Sequence, residues 1–208
     1  MDQQTKPAAG GIGRVEIPIV RATPESLDGL GLMFDHPDDI DVEIVQWPQP
    51  GWRTMDPGTG DEAGTTEGRF EFWWGDNLLR GRNHAVDDQY IMAADADHPE
   101  AFEGAEITEP ADGGRVPEAA LLFHANYHPD GGQLFFPTEG GAFVAPLAPA
   151  KGDDIRLEDF TAYYFDGSKG LYIHPNVWHE TMLPLQPRAT FFDRQGKVHA
   201  RISADFVT

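Results

Sequence analysis

Where apolar and polar positions alternate along this chain, the period is two, which predicts strands. Val15, Ile17 and Ile19 alternate with Arg14, Glu16 and Pro18, the pattern of an edge strand that tolerates proline. Thr23-Pro24-Glu25 reads as a helix start, with Thr as the cap and Pro at the first helical position. Gly29 and Gly31 then limit that helix to about two turns. Val42 to Gln46 predicts a strand. Residues 47–68 are rich in Trp, Pro, Gly, Thr and acids without periodicity, which predicts a long surface loop. Arg69 to Trp74 predicts a strand ending in a Gly75-Asp76-Asn77 turn, and Tyr90 to Ala93 a short strand. Residues 94–118 are again acidic and loop-like, with a helical turn near Glu100 to Glu103.

From Ala119 the pattern tightens. Short strands recur at Leu121–Tyr127, Gln133–Phe136, Phe143–Leu147, Gly170–Ile173, Thr190–Arg194 and Val198–Phe206, with Gly/Pro turns between them and a short helix over Ile155–Phe160. Many short strands at close spacing predict an all-β sandwich or jelly-roll barrel. No internal repeat or sharp composition break divides the chain. The expected organisation is a flexible tail over residues 1–13 and one domain over 14–208. Within it, 14–118 is acidic and loop-rich, and 119–208 bears the barrel core.

Composition narrows the possible functions. The chain has 208 residues, no cysteine and a formal charge of −20. The absence of cysteine excludes disulfides, thiolate metal sites and cysteine nucleophiles. The acidity argues against nucleic-acid binding and against docking on anionic membranes. No apolar run approaches the roughly 20 residues that span a bilayer, and the opening lacks a signal-peptide core, so a soluble cytoplasmic protein is expected. The charge is uneven: residues 1–120 carry 25 acids and 8 bases, residues 121–208 only 10 and 7. Five of the eight histidines lie between His124 and His199.

Two segments carry candidate chemistry. One runs His124-Ala-Asn126-Tyr-His128-Pro-Asp-Gly-Gly-Gln133, the other Gly170 to His179. Residues two apart on a strand face the same way, about 6.6 Å apart, so Asn126 and His128 point together. Asp130-Gly131-Gly132 supplies a turn, and Gln133 opens the next strand beside His128. His179 enters from elsewhere in the sheet. His124 shares the face but lies about 13 Å from His128 on an unbroken strand. Trp178 and Tyr127 alternate to the other face. Arg69, Arg80 and Arg82 flank Trp73-Trp74, and arginine clamps carboxylates bidentately.

Asn126-x-His128-x4-Gln133 resembles the first cupin motif, usually His-x-His-x4-Glu. Pro175-Asn176-x-x-His179 resembles the second, usually Gly-x-x-His after a proline. Together with Gln133-x-Phe135-x-Pro137, Phe143-Val144-x-Pro146, Phe165-x-Gly167, Tyr172-x-His174-x-x-Val177-Trp178-His179 and Phe191-x-Asp193-Arg194, they resemble the ureidoglycolate lyase family of cupins. The resemblance covers about 80 residues well and the first 120 poorly. It implies a cupin-type jelly-roll β-barrel with N-terminal strand and short-helix additions. It also implies a homodimer and a lyase splitting a small ureido carboxylate into glyoxylate and urea. His128 and His179 would be catalytic. Asn126, Gln133, His124, Arg69 and Arg82 would bind substrate. One divalent metal ion would be held by His128, Gln133 and His179. Asn and Gln, standing where the motif has His and Glu, remove a nitrogen donor and a charge, which weakens such a site. Two alternatives stay open: another metal-dependent cupin enzyme (isomerase, lyase or dioxygenase), or a non-catalytic ligand-binding cupin.

Overall fold

The computed structural model describes residues 13–47, 64–110 and 114–206. These residues form fifteen strands and three short 3-10 turns, with no α-helix among them. The strands are β1 (Ile19–Arg21), β2 (Gly31–Phe34), β3 (Thr65–Gly75), β4 (Leu78–Asn83), β5 (Asp88–Asp95), β6 (Ala120–Leu121), β7 (His124–Tyr127), β8 (Gln133–Pro137), β9 (Phe143–Ala148), β10 (Thr161–Phe165), β11 (Gly170–Ile173), β12 (Trp178–His179), β13 (Leu183–Pro184), β14 (Arg188–Gly196) and β15 (Ile202–Asp205). One sheet has the order β1-β10-β9-β12-β7-β15, with β13 also on β9; the other runs β2-β11-β8-β14-β3-β4-β5-β6. All pairings are antiparallel except β1 on β10, so each sheet is built mainly from hairpins and returns.

Period-two alternation puts one face of each sheet into a shared aromatic core. Phe70, Phe72, Phe135 and Phe191 come from one sheet, and Phe143, Leu147, Tyr163 and Phe165 from the other. Phe191 joins the layers, edge-on to Phe72 at 5.6 Å and to Phe143 at 5.1 Å between ring centroids. Such pairings add to the stabilisation from burial itself. A second cluster on the outer side of the β7 sheet holds Tyr127 and Trp178 edge to face, as their alternation away from the histidines predicts.

The structure departs from expectation in four places. Thr23 to Gly29 forms turns rather than a helix: Thr23 O accepts from Leu27 N, but Gly29 at φ +75° ends the turn. Val42 to Gln46 contributes only an isolated bridge, Ile44 to Gly131. The helix expected over 155–160 is a single 3-10 turn, Leu157–Asp159, while the turn expected near Glu100 is present as Pro99–Phe102. The loop expected over 47–68 ends early, because β3 begins at Thr65; residues 48–63 lie outside the described residues, as do 1–12 of the expected tail. Nor is the first half an appendage. β3, β4 and β5 extend the same sheet as β8 and β14, with nine register pairs between β14 and β3. No helix among the described residues is long and apolar enough to cross a membrane.

Candidate functional site

A cleft of about 450 Å³, partly open to solvent, lies between the two sheets. Its wall combines apolar side chains (Phe70, Phe72, Phe135, Met182) with His124, Asn126, His128, His179, Glu180, His199 and Arg201. The strand pattern explains the convergence. His124, Asn126 and His128 follow one another at period two along β7 and just past its end. His179 on β12 is paired directly with Asn126. The turn before β12 depends on Asn176, whose φ of +64° is left-handed; Asn reaches that region more readily than most residues, which explains its tolerance where the motif usually has glycine.

The imidazoles are held in defined orientations. His128 Nδ1–H donates to the Ala200 carbonyl at 2.9 Å, and His179 Nδ1–H donates to the Val177 carbonyl at 2.9 Å. A carbonyl only accepts, so both rings carry their proton on Nδ1 and leave Nε2 as a free base. Their centroids are 5.1 Å apart, and His199 stands 4.8 Å from His128. Burial pushes His128 down to about 4. Burial, followed by the neighbouring His128, pushes His179 and His199 down to about 3. His124 is lowered too, again chiefly by burial. All four are therefore neutral at physiological pH.

Glu180 is buried, and neither carboxyl oxygen has a hydrogen-bond partner of good geometry. His124 Nε2 approaches to 3.3 Å without making that bond. Burial drives the Glu180 carboxyl well above its ordinary value, offset only in part by the Thr181 amide and Arg201. Arg201 is the sole Lys or Arg in the cleft wall among the described residues; its guanidinium lies 5.5 Å from the Tyr90 ring centroid.

The structure brings together five of the seven site residues expected from sequence: His124, Asn126, His128, Gln133 and His179. Arg69 and Arg82 are not among them. They alternate with Phe70, Phe72 and Asn83, so they project from the outer face of the sheet. Arg69 is exposed, while Arg82 pairs with Glu109 at 3.0 Å and its neighbour Arg80 donates to the Glu106 carbonyl. The acidic stretch 94–118 therefore covers that outer face instead of closing over the cleft, to which none of its described residues contributes. Sequence reasoning missed His199, Arg201, Glu180, Asn83 and Tyr90. One signal was available: the inward line Phe191, Asp193, Gln195 continues the period of β14 with polar residues, which leads to the turn bearing His199 and Arg201.

The donor set does not fit the divalent metal site expected from the motifs. His128 and His179 offer two free Nε2 atoms, and the Gln133 amide nitrogen is held by Asp193 at 2.8 Å and Gln195 at 2.7 Å, which leaves only its uncharged amide oxygen, a weak ligand, as a third donor. Among the described residues, no group of three or more His, Cys, Asp or Glu is arranged to hold a metal ion. Protein metal sites for zinc take three or four good donors.

Comparison with known proteins falls on the same segment. A family model, ureidoglycolate lyase, matches residues 120–201. This part of the chain resembles ureidoglycolate lyases. The ureidoglycolate lyase of Pseudomonas savastanoi pv. phaseolicola is 36% identical over 72 residues, which are 34% of this chain and 42% of that protein. That of Brucella anthropi is 37% identical over 73 residues, covering 34% and 41%. That of Escherichia coli O139:H28 is 35% identical over 78 residues, covering 36% and 48%. The chain thus spans less than half the length of the curated relatives it matches. The lyase-like segment runs from β6 to the start of β15. It contains every cleft residue from His124 to Arg201, and the cleft's remaining wall comes from β3, β4 and β5 outside it.

Proposed function

We propose that this cleft binds a small carboxylate bearing a hydroxyl and a ureido group on one carbon, and cleaves the C–N bond to release glyoxylate and urea. The observation that carries this reading is the charge arrangement: four imidazoles held neutral by burial around the single guanidinium of Arg201, within the segment similar to ureidoglycolate lyases. Arg201 anchors the substrate carboxylate through charge-assisted hydrogen bonds. The free Nε2 of His128 or His179 takes the hydroxyl proton. The electrons of that bond form the aldehyde carbonyl, the C–N bond breaks toward nitrogen, and the same proton is returned to nitrogen, so no net proton is consumed. Burial serves the second half of this cycle: an imidazolium whose pKa is depressed surrenders its proton readily. Asn126, paired beside His179, is placed to hydrogen-bond the bound ligand, and the phenylalanine wall restricts water. The two facing sheets with the motif strands side by side support a jelly roll of cupin type.

The test is glyoxylate release from ureidoglycolate by the full chain. His128→Ala and His179→Ala should each lower kcat by on the order of a hundredfold or more, with circular dichroism unchanged. Undiminished turnover in either variant refutes its role, and an inert wild-type chain refutes the reaction.

A further inference from the structure

A line of buried polar groups that the reaction above does not use leads from the sheet to His199. Its far end is anchored by the backbone: Ala85 N–H donates to Asn83 Oδ1 at 2.8 Å, which turns the Asn83 amide nitrogen toward Asp193 Oδ2 at 3.0 Å. Asp193 is fully buried and turns its other oxygen, Oδ1, to Gln133 Nε2 at 2.8 Å. Once ionised, above about pH 7, the Asp193 carboxylate only accepts, so Gln133 presents its NH2 there. The same nitrogen donates to Gln195 Oε1 at 2.7 Å, on the strand directly paired with Gln133. With its oxygen committed, Gln195 turns its own NH2 to His199 Nδ1 at 2.8 Å. That nitrogen must then be the bare one, and the ring proton sits on Nε2. The backbone at His199 is left-handed, φ +49°, in the turn closed by His199 N–H on the Gly196 carbonyl. His199 is thus held off the common backbone basins at a cleft wall.

We infer that the Asp193–Gln133–Gln195 relay fixes His199 in the tautomer opposite to that of His128 and His179, so that the cleft sets one imidazole N–H donor beside two imidazole bases. Asp193, Gln133 and Gln195 are positioning residues, and His199 is the group that meets the ligand. This rests on the reading above for its chemical use. When the C–N bond breaks, negative charge spreads onto the ureido oxygen, and a neutral imidazole N–H is a suitable donor to it. His128, whose proton is committed to the carbonyl of Ala200, next to His199, cannot fill that role in the same state.

Isosteric reversal tests the relay. Asp193→Asn keeps every hydrogen bond but inverts them: its Oδ1 accepts from Asn83, and its NH2 donates to a flipped Gln133, which accepts from a flipped Gln195. That leaves an oxygen facing His199 Nδ1. Gln195→Glu places an oxygen there directly, if the first variant fails to fold. The readout is the tautomer pattern in long-range 1H–15N correlation spectra of uniformly 15N-labelled full chain at pH 8.5, without ligand. The wild type should show His199 as Nε2–H and His128 and His179 as Nδ1–H; each variant should convert His199 alone to Nδ1–H. A wild-type His199 already protonated on Nδ1, or a ring unmoved by both variants, overturns the relay. In turnover, Asp193→Asn should lower kcat on the order of tenfold at an unchanged unfolding midpoint. Full activity with a converted tautomer overturns the donor role. An inert wild type would fall on the reaction, while the spectra still decide the relay.

Discussion

Acid sensitivity at the histidine cluster gives a sharp quantitative expectation. His179 is buried with its pKa pushed down to about 3 from the ordinary 6.5, first by desolvation and then by His128. As the pH falls through 6.5, only the unfolded chain takes up that proton, so the folded state loses stability at about 1.4 kcal/mol per pH unit until its own pKa is reached. Between pH 7 and pH 5, His179 alone removes about 2 kcal/mol. The wild-type curve will not display this plainly. Asp193, raised by burial to about 7, and Glu180, also raised by burial, take up a proton in the fold at higher pH than in the unfolded chain, so they contribute stability as the pH falls over this interval. The difference between wild type and His179→Asn cancels those carboxyls. Urea unfolding at both pH values should show the variant gaining about 2 kcal/mol on the wild type at pH 5 relative to pH 7. A difference that is the same at both pH values would refute the argument that His179 is held neutral by burial.

Phe191→Ala removes the ring that joins the two sheets and should cost about 3–5 kcal/mol in urea unfolding. Gly132→Ala would place a Cβ 2.2 Å from the Tyr172 hydroxyl, which accepts from Glu43 N–H; displacing that ring should cost about 1–3 kcal/mol, seen as a lowered unfolding midpoint. Arg201→Gln should raise KM for ureidoglycolate about tenfold or more, as a charge-assisted anchor is lost, whereas Arg69→Gln on the outer face should leave KM unaltered.

The alternation of residues along single strands is local information, and it specified much of this protein. Asn126 and His128 on one face with Tyr127 on the other follow from the period alone, and the turn at Asn176 that brings in His179 follows from its Pro-Asn residues. Arg69 and Arg82 show where local pattern stops. Their spacing beside Trp73-Trp74 suggested a clamp, but only the pairing of β3 with β4 determines which face of a strand meets the core, and it turned both arginines outward. The guanidinium in the cleft wall is that of Arg201, reached only when the turn after β14 folds back beside β7. Protonation states were equally invisible along the chain. His128 and His179 are neutral because two sheets close around them and remove water, and desolvation belongs to an enclosure rather than to any segment.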